Sequence, residues 1–503
     1  MKAKILFAAA ETVPFFKTGG LADVVGSLPE FLAESASAEI GLDLEIKVIL
    51  PFYRRLVNFE KECSVVLEST LNFAGKDRAF RILSLQKQKV EYLFCDQPEL
   101  FDRDAIYGLA GKDYPDNLLR FGFFSYAVLQ SMPGLNFQPA IVHCHDWHTG
   151  LLPVYLKEIF LTDPFYRKIK SIMTIHNLGY QGLFPKDDWP TLSLPDRIFN
   201  PEGLEFYGQI NLLKAGLLWA DRITTVSPTY SEEIKTEEFG QKLEGVLNKR
   251  EEDLTGILNG IDYQYWNPET DPLLKKNYGK TRLSGKSENK AELFRRFSLK
   301  PSDNPLLGVV SRLVPPKGFD MIMEALPQIL KQRFNLVILG SGLPEYEKFF
   351  ESAAQKYGGV FGFRPGYNEE LAHLIYGGAD IFVMPSLFEP CGLGQMIALR
   401  YGTIPVVRET GGLADSVFNF DGTVGNGFSF VPAKAANLLD TLQKAGVVYR
   451  HKKDWAKLVS NAFTSDFSWS NSAQKYLALY HSMITPSPFP SPRGGEGVSS
   501  RTR

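Results

Sequence analysis

Ten short apolar runs, rich in β-branched residues, recur along this chain, and each is followed by a longer amphipathic segment. In the first half they are KILFAAA (4–10), EIKVIL (45–50), VEYLFC (90–95), AIVHCH (140–145), SIMTIH (171–176) and RITTVS (222–227). In the second they are LLGVVS (306–311), NLVILG (335–340), IFVMPS (381–386) and IPVVRE (404–409). Strands covered on both faces read as nearly unbroken apolar runs, so these are buried parallel strands. Alternation with helices predicts doubly wound α/β sheets. With 503 residues the chain exceeds what one core holds. The rhythm breaks at NGIDYQYWNPETDP (259–272), rich in turn residues, and resumes after the charged stretch KSENKAELFRRF (286–297). Two Rossmann-like domains follow, 1–253 and 254–469, facing each other across a cleft. The segment 486–503, dense in Pro, Gly and Ser, has little to bury and is expected to be disordered.

Charge and cysteine content narrow the function. The net charge of −2 supplies no basic field for nucleic acid or an anionic membrane, so any phosphate binding is local. Four cysteines, Cys63, Cys95, Cys144 and Cys391, are scattered without a CxxC pair, which suits a reducing compartment. The opening MKAKILFAAAE loses its apolar run at Glu11, too early for a signal peptide, and reads as a first strand. The charge-free stretch 121–142 is interrupted by Pro133, Gly134, Asn136, Gln138 and Pro139 and is no membrane span. A cytoplasmic protein is expected.

The hexapeptide TGGLAD occurs twice, as Thr18 to Asp23 behind Lys17 and as Thr410 to Asp415 behind Glu409. Each copy follows a predicted strand and precedes a helical run. Ligands of doubly wound sheets bind beyond the carboxyl ends of the strands. Glycines admit close backbone approach, and a helix N-terminus offers free N–H groups to an anion. The expectation is that both copies turn towards the shared cleft and only the first adds a cation; the alternative is that both glycine pairs are merely tight turns.

Other fragments are open to two readings each. HCHDWHTG (143–150) places His143 and His145 on one strand face with Asp146 and His148 adjacent, a set that admits a metal. With no second ligand cluster nearby, a structural or sugar-contacting loop is the stronger reading. DRD (102–104) resembles a cation-binding triplet, or is a solvated loop. His176 ends a predicted strand before a glycine-containing loop; it is a structural histidine, or a functional one by its position beyond the strand. Arg312 and Lys317 stand just past LLGVVS, where two cations suit a pyrophosphate or simply face solvent. Glu389 lies after IFVMPS, beside the glycine turn Gly392 and Gly394 that opens a helix. A carboxylate beside an anion site suits a developing oxocarbenium ion or sugar hydroxyls, and otherwise caps the turn.

Taken in order, KTGGLADVVGSLP, HDWHTGLLP, TIHNLGYQG, LNGIDYQYWNP, SRLVPPKGFD, GGADIFVMPSLFEPCGLGQ and ETGGLADSV resemble glycosyltransferase family 5, the bacterial glycogen synthases and plant starch synthases. The resemblance runs from about Lys4 to Tyr480. It implies a GT-B fold, with a final helix, 470–485, crossing back to the first domain. It implies transfer of glucose from ADP-glucose to the non-reducing 4-OH of an α-1,4-glucan such as glycogen, with retention of configuration and no metal or other cofactor.

Carried over by position, the resemblance places Lys17 on the donor phosphates, with Gly19 and Gly20 giving backbone access and Glu11 and Asp23 in the same wall. It places His176 beside the anomeric carbon and the sugar 6-OH, with Asn259 near that hydroxyl. Arg312 and Lys317 neutralise the pyrophosphate, Tyr367 stacks on adenine, and Glu389 faces the glucose ring. Cys391, Gly392 and Leu393 hold sugar hydroxyls through their backbone, and Tyr114 lines the cleft. Where the family often carries Thr, this chain has Gly394, so a hydroxyl contact to phosphate is missing. Two other functions share the same residues: a retaining GT-B transferase acting from UDP-glucose or on a non-glucan acceptor, and a glucan-binding or regulatory protein without catalysis. Oligomeric state is not legible in the sequence.

Overall fold

The computed structural model describes residues 2–39, 43–109 and 111–485; the expected disordered tail, 486–503, lies outside the described residues. Two sheets organise the chain. The first has nine strands in the order Leu254–Gly256, Arg222–Thr225, Lys170–Ile175, Ile141–His145, Lys2–Ala8, Asp43–Pro51, Val90–Asp96, Lys76–Lys87 and Ser64–Phe73. The first seven run parallel, and the last two are added antiparallel at one edge. The second sheet has six strands, all parallel, in the order Phe361–Pro365, Asn335–Gly340, Leu306–Val310, Ile381–Met384, Ile404–Arg408 and Phe428–Phe430.

The central strands form as their composition dictates. Ile5, Phe7 and Ala8 are fully buried, as are Ile141 and Cys144 beside them, since helices cover both faces of the sheet. The antiparallel pair is different. Ser64–Phe73 is mostly exposed at the sheet's edge, and its broken polar pattern is that of a strand wet on one side. Leu254–Gly256 pairs in parallel with Arg222–Thr225. The first sheet therefore extends past residue 253, into the segment expected to begin the second domain.

In each sheet the chain winds outward from one central strand in both directions. That places a topological switch point between Lys2–Ala8 and Ile141–His145 in the first sheet, and between Leu306–Val310 and Ile381–Met384 in the second. Crevices open beyond the carboxyl ends of the strands at such points.

The lobes meet through paired helix ends. Thr229, at the start of the first lobe's helix Pro228–Glu233, donates from its backbone N–H to Asp415 Oδ2 (2.9 Å) and from its hydroxyl to Asp415 Oδ1 (2.7 Å). Glu233, at the end of that helix, accepts from Gly411 N–H (3.0 Å) and Thr410 Oγ1 (2.9 Å) at the start of the helix Gly411–Ala414. Each lobe thus lends an acid to the other's unpaired first amides. The last helix, Trp469–Ile484, lies against Gly20–Glu39 of the first lobe, and Tyr480 reaches the buried His143 Nδ1 at 2.7 Å.

Candidate active site

The loop after Lys2–Ala8 carries Glu11 and Lys17 into the first crevice. Glu11 is only 3% exposed; its carboxylate accepts from the Thr18 N–H, from Thr18 Oγ1 (2.9 Å) and from the Tyr107 hydroxyl (3.2 Å). Burial pushes its carboxyl up, against the pull of these donors. Glu11 thereby fixes the turn that precedes Gly19 and Gly20. Lys17 is half exposed, and its Nζ lies 2.7 Å from Asp23 Oδ1. Burial raises the Asp23 carboxyl too, and Lys17 opposes this.

The two TGGLAD copies have opposite surroundings. A Cβ added at Gly19 or Gly20 would meet nothing within 4 Å. A Cβ at Gly411 would come 2.1 Å from the Glu389 carbonyl oxygen, and one at Gly412 2.1 Å from that of Cys391. The first pair of glycines borders open space. The second pair is buried so that the loop 389–391 can lie directly on it, and its first free amide is already given to Glu233. The second copy faces the other lobe, as expected, but its glycines are covered: it is a packing and inter-lobe joint.

The strand Ile141–His145 and its neighbour deliver the imidazoles. His143 is held by Thr174 Oγ1 (2.6 Å) on Nε2 and by Tyr480 on Nδ1, and its ring stacks on that of His145. His145 Nδ1 lies 2.9 Å from His176 Nε2. Asp146, with φ of 54°, accepts the backbone N–H of His176 at 2.8 Å. Burial holds His143 and His176 down to about 3, so both are neutral, and pushes Asp146 up to about 7. His148 stacks with Tyr107 and is held well below its ordinary value by burial. The histidines serve one another and the protein; among the described residues no group of three or more His, Cys, Asp or Glu is arranged to hold a metal ion. The DRD triplet is engaged elsewhere, with Asp102 and Asp104 both accepting from Arg55 at 3.0 and 3.1 Å.

Facing these groups, the second lobe presents the loops after Leu306–Val310 and Ile381–Met384. Arg312 is exposed and has no ion-pair partner among the described residues. Lys317 Nζ lies 2.5 Å from Glu389 Oε2, which also accepts from Ser386 Oγ at 2.9 Å; Glu389 is 6% exposed. Gly392, at φ of +71°, makes the turn that a side chain would strain. Asn259 is buried, and its Oδ1 has no hydrogen-bond partner. Leu393 precedes the helix Gly394–Arg400. Around Gly394 the Phe382, Met384 and Tyr376 side chains fill the space that a larger residue would need. Tyr367 is 74% exposed, and its hydroxyl feels the charges of Lys17 and Asp23 from the opposite lobe.

Lys17, Glu11, Gly19, Gly20, Asp23 and His176 thus lie beyond strand ends of the first sheet, and Arg312, Lys317, Glu389, Cys391, Gly392, Leu393 and Tyr367 beyond strand ends of the second. Tyr114 does not join them: Arg103 and Arg120 lie over its ring and its hydroxyl is buried. Tyr107 takes the place expected of it, bonded to Glu11. Tyr107, His145 and Asp146 were not among the expected site residues. The signal for the last two was present in HCHDWHTG, read there as a structural or sugar-contacting loop; nothing local in the sequence marks Tyr107.

Comparison with known proteins places this geometry. Residues 4–249 match the family described as starch synthase catalytic domain, and residues 290–457 that described as glycosyl transferases group 1. A glycogen synthase of Bacillus cereus is 44% identical over 485 residues, covering 95% of this chain and 99% of its own. One from Moorella thermoacetica is 44% identical over 488 residues, covering 96% and 97%. Among solved structures, the catalytic domain of starch synthase IV from Arabidopsis thaliana, bound to ADP and acarbose, superposes with a TM-score of 0.87 at 33% identity, covering 96% of this chain and 100% of its own. Sucrose-phosphate synthase from Thermosynechococcus elongatus, at a TM-score of 0.60 and 18% identity, shares the fold. No helix among the described residues is long and apolar enough to cross a membrane. With two α/β lobes of GT-B type and these relatives along nearly its whole length, the chain belongs to the glycogen synthase and starch synthase family of glycosyltransferases.

Proposed function

We propose that this enzyme transfers glucose from ADP-glucose to the non-reducing 4-OH of an α-1,4-glucan, with retention of configuration and release of ADP. The observation that carries the reading is the pairing of switch points: Lys17 and open glycines on one side, Arg312, Lys317 and Glu389 on the other, with Tyr367 exposed within electrostatic reach of Lys17. The solved relative bound to ADP supports an adenine nucleotide in this cleft. In this reading Tyr367 stacks on adenine, and Lys17, Arg312 and Lys317 stabilise the diphosphate as the C1–O bond breaks. The Gly19 and Gly20 amides approach the same phosphates.

Positive character then grows on the sugar ring. Glu389 faces it, while Asn259 and the backbone of Cys391, Gly392 and Leu393 hold hydroxyls. His176 stands by C1 and the 6-OH as a neutral imidazole. Retention follows from attack on the face that ADP leaves, with the departing phosphate accepting the proton of the acceptor's 4-OH. Closure of the lobes excludes water, whose attack would hydrolyse the donor. The work is proposed to take place in the cytoplasm, where the reduced cysteines also fit. The test is ADP release with glycogen as acceptor, from ADP-glucose and UDP-glucose in turn. Release chiefly from ADP-glucose supports the reading. Faster release from UDP-glucose overturns the donor assignment, and glucan binding without release overturns catalysis.

A further inference from the structure

His145 sits behind the reading above without touching the space assigned to substrate. It is fully buried, its ring packs against those of Phe7 and His143, and its backbone N–H is given to Thr149 Oγ1 at 2.7 Å. Its Nδ1 meets His176 Nε2 at 2.9 Å, and its own Nε2 is buried with no partner. One proton lies between the two facing nitrogens. If His176 donated it, the proton of His145 would sit on Nε2, as an orphaned N–H in the core; such groups are rare and destabilising. If His145 donates it, only a lone pair is left unpartnered. The second arrangement fixes more than His145. His176 must then carry its proton on Nδ1, the nitrogen left free by this contact on a half-buried ring.

We infer that His145 is a positioning residue that locks the tautomer of His176, donating from Nδ1 to His176 Nε2 so that His176 presents an Nδ1–H donor rather than a lone pair. A donor suits an oxygen ligand such as a sugar hydroxyl. His176 is held at a second point by Asp146, which fixes its backbone N–H, so neither the ring nor the main chain needs to reorganise when the donor sugar arrives. The inference rests on the proposed role of His176, but its first test does not depend on that role.

In the full-length protein labelled with ¹⁵N-histidine, the ring shifts of His176, assigned by comparison with His176→Gln, report a protonated Nδ1 and a bare Nε2. A bare Nδ1 overturns the inference whether or not the protein releases ADP. The second test compares two variants. His145→Asn places an amide N–H where Nδ1–H stood; it keeps the His176 tautomer and most of kcat. His145→Leu cannot donate; His176 then shows both tautomers, and kcat falls about ten- to a hundredfold with the KM for glycogen unchanged, the usual scale for losing an orienting partner. Equal kcat in the Asn and Leu variants overturns the inference. Should His145→Leu fail to fold, the ring shifts of the unsubstituted protein decide alone.

Discussion

Lys317 Nζ and Glu389 Oε2 stand 2.5 Å apart, joining the loops that follow two neighbouring strands of the second sheet. Lys17, its counterpart across the cleft, pairs with Asp23 in a far wetter setting. The two lysines therefore differ in what they do for the fold. Lys317→Ala strands a buried carboxylate, and breaking such a pair costs about 3–5 kcal/mol. Lys17→Ala changes stability by no more than about 0.5 kcal/mol, as at other exposed sites. Both lower kcat, by about a hundredfold for one lost electrostatic contact. Urea midpoints and steady-state kinetics on the two variants separate the effects; an unchanged kcat in both contradicts the diphosphate assignment.

The glycines of the repeated hexapeptide respond in opposite ways. Gly411→Ala and Gly412→Ala drive a methyl into a backbone carbonyl 2.1 Å away, and Gly411 also lies at φ of +45°. Each loses about 3 kcal/mol or more of stability, as overpacking at a rigid contact does. Gly19→Ala and Gly20→Ala leave the melting temperature unchanged and raise the KM for ADP-glucose. A stable Gly412→Ala enzyme would contradict the packing role.

Acid sensitivity follows from the buried imidazoles. His143, held at about 3 against an ordinary 6.5, binds fewer protons folded than unfolded, so its contribution is complete above 6.5 and is lost as pH falls towards 3. Asp146, raised from 3.8 to about 7, acts in the opposite sense, losing its contribution as pH rises across that range. His143→Gln removes one imidazole alone. Below its ordinary pKa the variant's unfolding free energy declines less steeply than the parent's, by up to about 1.4 kcal/mol per pH unit. Urea midpoints measured from pH 7 to 4.5 provide the check; parallel curves contradict it.

Glu233 and Asp415 hold the lobes through each other's helix ends. The double variant Glu233→Gln, Asp415→Asn keeps shape but weakens these charge-assisted bonds. It is expected to raise the radius of gyration of the ligand-free protein in X-ray scattering, with ADP restoring the compact form. An identical radius for variant and parent would contradict a role for these contacts in lobe closure.

The sequence reading reached the parallel strands because burial on both faces leaves runs such as NLVILG with no other explanation. It did not reach Ser64–Phe73 and Lys76–Lys87, whose half-wet, interrupted patterns lack that signature. Glu389, Lys317 and His176 were legible as groups beyond strand ends. The meaning of the second TGGLAD was not, because identical residues become a ligand turn or a packing joint according to what lies on them, and here that is the preceding loop 389–391 and a helix of the other lobe. Tyr114 and Tyr107 show the same limit: both are tyrosines of one loop, and the first lies under Arg103 and Arg120 while the second bonds Glu11.

The central claim is that one diphosphate is gripped from both lobes. The direct measurement is a crystal structure of the protein with ADP. The account predicts phosphate oxygens within hydrogen-bond distance of Lys17 and of Arg312 and Lys317, with adenine against Tyr367. ADP bound with its phosphates away from those three side chains would contradict it.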